Sequence, residues 1–394
     1  MNVTVERNIK LLSWFNFCTD FVFFAPVAII YFAKVTGSLT LGMSVFAVAY
    51  ASSALFEVPT GILSDRVGRK KTIVLGAVCS IACVVFYAIG TSYIFMFIGA
   101  LLQGMSRSLF SGNNDALLHD TLHDMGKSNE YHTHYGRTSM MFQIALALAS
   151  ITGTIMVAVS FPLVMWASVI PQIFSLIIAL QIIEPRSHTI KSTNVFSHLK
   201  EALKLFRSNP KLQLLTFASA IRFSLGESAF FLRSAFINTL WPLWAIGIAN
   251  MITHTCSAIG YYFGGKVIDR IGSMKVLSLG IVIDRVVTLI ALLLPTPASP
   301  ILMASTSLTY GAGMVASNSL MQKEFSEAQR ATMGSLSSLV GSLAFGVSAI
   351  TLGYIGDLVG PAKALIVTNI LLFSPLLFYR KIFIKMKKKD EKSG

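Results

Sequence analysis

Apolar runs about as long as a bilayer core is thick alternate with short polar breaks along almost the whole chain. A span needs roughly 20 mostly apolar residues. Twelve segments qualify: 8–33, 40–63, 72–90, 93–118, 136–158 and 162–183, then 211–238, 241–267, 273–294, 298–322, 331–354 and 360–383. Period-2 alternation is absent and unpaired backbone is too costly in lipid, so each segment is predicted as a helix. The longest polar stretch, 184–210, divides the spans six and six. The pattern therefore predicts an all-α membrane protein. Two six-helix bundles, 1–183 and 211–383, are joined by a linker at 184–210 and followed by a basic tail at 384–394. In the linker, Val195, Phe196, Leu199, Ala202, Leu203 and Phe206 fall on one helical face, away from Lys200, Glu201 and Lys204. That face predicts an amphipathic helix lying on the inner membrane surface.

Composition agrees with the pattern. The chain is 54% hydrophobic and only 13% charged, where soluble domains carry about 25% charge; its mean hydropathy is +0.67. The net charge of +14 would read as nucleic-acid binding in a soluble protein. Its distribution says otherwise. With both termini cytoplasmic, 26 of the 32 Lys and Arg fall on the inner side, and only Lys34 and Lys363 fall outside. The positive charge is thus mostly topology, with a tail suited to anionic lipid, and no nucleic-acid partner is implied. The four cysteines all lie in apolar segments and read as small buried hydrophobes. The first run is as long as a full span and lacks a small-residue cleavage site, so it is expected to remain a helix.

One stretch interrupts the apolar pattern with dense charge: 61-GILSDRVGRKK-71. It has a degenerate copy. Asp65-Arg66-Val67-Gly68 matches Asp269-Arg270-Ile271-Gly272 at an offset of 204, which also sets Gly61 on Gly265, Asn114 on Asn318 and Asp120 on Glu324. A consistent order over several elements marks two repeated units. The full stretch fits G-x-L-[AS]-D-R-x-G-R-[RK]-[RK], and so resembles the loop between helices 2 and 3 of the major facilitator superfamily, closest in pattern to its drug/proton antiporters. The resemblance covers the whole chain, including the six-plus-six layout. It implies a gating latch at Glu57, Gly61, Asp65, Arg66, Gly68 and Arg69. The loop bases would meet an acid at the inner end of helix 4, for which Asp115 and Asp120 are the candidates, and Asp65 would meet the start of helix 11, near Ala331–Gly334. Two departures set the chain apart from those antiporters. Ala100 stands where their helix 4 carries the arginine of R-x-x-Q-G, although Gln103 and Gly104 are kept, and 143-QIALALASITG-153 has no proline.

Charge inside a span costs several kcal/mol unless paired or hydrated, so each instance asks for a role. Asp20 lies halfway along the first span, Arg107 in the fourth, and Arg222, Glu227 and Arg233 in the seventh. Helices 1, 4, 7 and 10 line the cavity in the resembled family. A titratable carboxyl at mid-depth is the simplest proton carrier, neutral when desolvated and charged when water or a cation reaches it. Asp20 is the first choice and Glu227 the second. Arginine stays charged, so Arg107 and Arg222 are assigned to anionic substrate groups or to those carboxyls. Asn113, Asn114, Asn250, His254 and Trp14 complete the candidate substrate residues. Structural ion pairing and packing are the bland alternatives for each of these.

There is no G-x-x-x-x-G-K-[ST] loop, no nucleophile–base set and no metal-ligand cluster. Hence no enzyme activity, cofactor or metal is implied. The reading is a secondary transporter moving a small organic solute by alternating access, expected as a monomer in a bacterial plasma (inner) membrane. Proton-coupled efflux by antiport comes first. The alternative is proton-coupled or facilitated uptake of an anionic or zwitterionic metabolite. A non-transporting membrane receptor or lipid-handling protein is a lesser alternative.

Overall fold

A computed structural model describes residues 2–127, 130–185, 206–207, 210–322 and 327–381. Among these residues the chain is helical with no strand. The helices are α1 (Asn2–Asp20), α2 (Ala28–Thr36), α3 (Leu39–Val67), α4 (Arg69–Ile89), α5 (Tyr93–Phe110), α6 (Asn113–Asp124), α7 (Tyr131–Val157), α8 (Phe161–Ala167), α9 (Val169–Gln181), α10 (Pro210–Ile237), α11 (Ile246–Ile271), α12 (Ser273–Leu293), α13 (Ser299–Ser305), α14 (Ser307–Gln322), α15 (Glu327–Val359) and α16 (Pro361–Leu371). Among the described residues every predicted segment overlaps helix, several of them with breaks. Nine stretches among the described residues are long and apolar enough to cross a membrane. The segments 211–238, 241–267 and 298–322 are not among the nine; the first of them carries Arg222, Glu227 and Arg233. The linker helix predicted over 195–206 lies outside the described residues except for Phe206, as does the basic tail.

The first span departs from the uniform helix predicted for it. α1 stops at Asp20, the chain runs irregularly through Phe21–Phe24, a 3-10 turn covers Ala25–Val27, and α2 resumes at Ala28. Pro26 is the cause: it has no N–H to donate, and its ring excludes the helical position of the carbonyl four residues earlier, at Val22. The Val22 N–H bonds instead to the Asp20 carbonyl at 2.9 Å. The fourth predicted span is also broken. Gly112, at φ 71°, separates α5 from α6 and places Asn113 at the first position of α6.

The chain divides into two compact units, Met1–Ser192 with Pro242–Met251, and Thr193–Trp241 with Ile252–Gly394. In the first, α3 and α5 pack closely through small residues. A Cβ on Gly104 would run into the Ala49 carbonyl and Ser52, and Ser52 Oγ donates to the Leu101 carbonyl at 2.8 Å. Small residues and such bonds associate helices where lipid supplies no hydrophobic drive. A buried cluster of Leu12, Phe15, Ile73, Ala77, Leu117 and Ile182 ties α1, α4 and α6 to the end of α9. The second unit has its counterpart, with Leu277 and Ile281 standing 204 residues after Ile73 and Ala77.

Candidate functional site

In the first unit, the candidate side chains gather in two groups. The first group is built on the α3–α4 junction. Gly68 ends α3 and starts α4 at φ 100°, ψ 158°, and Gly272 does the same between α11 and α12 at φ 83°, ψ 147°. The repeat read in the sequence is therefore a repeat of backbone. A side chain rarely adopts this conformation. At Gly68 a Cβ would also touch the Glu184 carboxylate.

That carboxylate is the residue sequence reasoning missed. Glu184 Oε1 accepts from the Arg69 N–H at 2.6 Å and Oε2 from the Lys70 N–H at 2.8 Å. The free donors of a helix N-terminus, with their partial positive charge, hold an acid supplied from 115 residues away. A signal was present: Glu184 is the only acid between Glu130 and Glu201, directly after an apolar span and before Pro185.

Around it, Ser64 Oγ donates to Asn113 Oδ1. Arg69 Nη1 reaches Ser64 Oγ at 3.1 Å and Asn113 Oδ1 at 3.3 Å, and Asn113 Nδ2 donates to the Leu109 carbonyl at 2.7 Å. Of the two candidate acids for the loop bases, Asp120 lies 3.8 Å from Arg69 Nε. Asp115 is exposed and lies beside Tyr131 instead. The Tyr131 hydroxyl is pushed up to about 12, by burial first and then by Asp115 and Tyr135. Asn114 Nδ2 donates to Asn16 Oδ1 at 3.1 Å. Gly61 and Arg66 are exposed and Glu57 is half-buried, while the side chain of Asp65 lies outside the described residues, as do those of Ala331–Gly334 at the predicted helix-11 start.

The second group surrounds the break in the first span. Asp20 is half-buried and within electrostatic reach of Arg107. Among the described residues it makes no ion pair or side-chain hydrogen bond at contact distance. The Arg107 guanidinium lies over the Tyr50 ring at 5.2 Å, a cation–π arrangement. Tyr87, also within its reach, donates to Gln103 Oε1 at 2.9 Å. Gly104 sets this geometry by letting α5 approach α3. Gly104→Val is expected to part Arg107 from Tyr50 and to cut transport and thermal stability together; wild-type values for both would show that the close approach is dispensable. Trp14 is 55% exposed and makes an edge contact with Phe17 at 5.6 Å. Asn250 is buried in this unit.

The second unit repeats the theme. Arg222 lies over Tyr310 at 5.5 Å and points Nη1 and Nη2 at the carbonyls of Gly313 (3.4 Å) and Tyr310 (3.5 Å). Arg233 reaches the Met303 carbonyl at 3.4 Å. Both arginines thus face the 303–313 segment, as their spacing of eleven residues, about three turns, requires. Glu227 and Arg222 act on the same tyrosine, Tyr261. His254 is half-buried with its ring against Phe230.

Comparison with solved structures gives the same fold across nearly the whole chain. A mutant of the nucleoside transporter NupG superposes with a TM-score of 0.80 at 14% identity, covering 96% of this chain and 100% of that one. A bacterial homologue of the human lysosomal transporter Spinster gives 0.77 at 14%, covering 97% and 98%. The E. coli fucose:proton symporter FucP gives 0.62 at 15%, covering 96% and 99%. A search of curated proteins by sequence finds no match. The family model for the Major Facilitator Superfamily matches residues 11–349. An all-helical chain with many membrane-length apolar helices, matched to that model over most of its length, belongs to the Major Facilitator Superfamily and is a multi-pass membrane transporter, not an enzyme.

Proposed function

We propose that the protein is a proton-coupled secondary transporter of a small organic solute that carries an anionic group, working by alternating access. One observation carries the reading. Asp20 ends the first helix at an interruption, in reach of Arg107 but not in contact with it. An acid so placed has two states to move between: protonated, or ionised opposite the guanidinium. Discontinuous helices in transporters expose backbone groups beside substrate and coupling-ion sites. The inner-end network around Gly68 and Arg69 is the gate in this reading, with Asp65 as its latch acid.

Each unit presents one arginine seated on a tyrosine, Arg107 on Tyr50 and Arg222 on Tyr310. These fixed charges favour an anionic or zwitterionic solute, and with it uptake by proton symport. Two of the similar structures are a nucleoside transporter and a fucose:proton symporter. Efflux by proton antiport is the second reading, favoured by the complete signature at Gly61–Lys71 and by Gln103–Gly104.

Charge-sorted binding tests the substrate class. A ligand raises the unfolding midpoint of purified protein by mass action, so compounds grouped by charge reveal the preferred class. Arg107→Ala or Arg222→Ala is then expected to weaken an anionic ligand by about tenfold or more, the worth of one charge-assisted hydrogen bond, while a neutral analogue changes little. Equal losses for both ligands would give the arginines a structural role. Flux in liposomes with an imposed pH gradient then separates symport from antiport.

A further inference from the structure

The second unit holds a charged cluster that proton coupling does not use. Arg233 on α10 and Arg285 on α12 line one small cavity with Thr288, Met303 and Asn369. Arg285 is well covered, as is Asp284 beside it, with side-chain exposures of 16% and 14%. Asp284 is committed. One of its oxygens pairs with Arg285, and the other accepts from Thr288 Oγ1 at 3.3 Å. Arg285 also donates to Asn369 Oδ1 at 3.0 Å, and Asn369 Nδ2 returns a bond to the Arg285 carbonyl at 2.7 Å.

Arg233 is left with little. Among the described residues its guanidinium makes one long hydrogen bond, to the Met303 carbonyl at 3.4 Å. The charged groups acting on it are Asp284 and Arg285. Two cations therefore share one carboxylate that is already engaged. Arginine cannot shed its proton to relieve this, and an uncompensated charge inside a helical bundle in lipid is costly. The space beside the two guanidiniums is about 10 Å³, room for about one small body and too small for an organic acid.

We propose that Arg233 and Arg285 enclose a binding site for a small monovalent inorganic anion of halide size. The anion neutralises the cluster, takes the unused N–H donors of Arg233, and ties α10 to α12, α13 and α16. It is a resident ion distinct from the transported solute.

The test uses full-length protein purified in detergent, with chloride exchanged for gluconate at constant ionic strength. The unfolding midpoint is expected to rise with chloride and to saturate, with bromide substituting and gluconate, too large to enter, having no effect. Arg233→Leu is expected to abolish the dependence. Asp284→Asn removes the carboxylate that pairs with Arg285 and should lower the chloride concentration for half-saturation by roughly tenfold, since an opposing charge a few ångströms away is lost. Identical midpoints in chloride and gluconate would overturn the proposal and leave water in the cavity. So would an undiminished chloride response in Arg233→Leu. If that variant does not fold, Asp284→Asn decides: an unchanged or increased chloride requirement sinks the site.

Discussion

Asp20→Asn is expected to abolish proton-driven accumulation or extrusion while leaving solute binding and energy-independent exchange largely intact. The amide has nearly the shape of the protonated acid but can never release a proton. Asp20 sits where Pro26 forces the first span to open, so its carboxyl lies beside irregular backbone rather than along a continuous helix. Arg107 lies within reach of the acid, yet its ring partner is Tyr50 and it does not clamp the carboxyl. Transport in liposomes under a pH gradient, run beside counterflow without a gradient, separates the two activities. Joint loss of expression and solute binding would make Asp20 half of a structural pair with Arg107. Full proton-driven transport by the variant would rule Asp20 out and pass the role to Glu227, which acts on Tyr261 together with Arg222.

Glu184→Ala is expected to destabilise the first unit by about 2 kcal/mol and to slow transport, because the first N–H groups of α4 lose their acceptors. Glu184→Gln keeps an acceptor but no charge and should fall between wild type and Ala. Gly68→Ala should do comparable damage by another route, since it strains a backbone at φ 100° and pushes a methyl against the same carboxylate. The two changes act on one contact, so the double variant should lose less than the sum. Unfolding midpoints of the purified proteins measure all four variants. Glu184→Ala at wild-type midpoint and transport rate would show that water caps the helix equally well.

The helices were legible because apolar length is a strong signal, and the repeat was legible because Asp65–Gly68 and Asp269–Gly272 keep residue type as well as order. The break after Asp20 was not read, although Ala25-Pro26 stood inside the span. A hydropathy average does not register one missing N–H among apolar side chains. The family resemblance pointed the loop bases at an acid at the end of helix 4, either Asp115 or Asp120, and the distance from Arg69 singles out Asp120. Glu184 escaped because its partners are backbone N–H groups. Any helix offers those at its start, and no residue pattern advertises which one an acid will meet. Arg107 over Tyr50 was equally silent in the sequence, since it depends on how closely Gly104 lets two helices approach.

The same carboxylate bears on the order in which the chain is assembled. Arg69 and Lys70 leave the ribosome 115 residues before Glu184 does. At roughly 5–20 residues per second, the start of α4 waits about 6–23 s for its acid, with water on its donors in the meantime. The contact closes only after α9 has been made and its end carried back to the α3–α4 junction. A nascent chain cut anywhere before residue 184 leaves that helix start open, so formation of the Glu184 contact marks the moment when the run of helices from α1 to α9 is joined end to start.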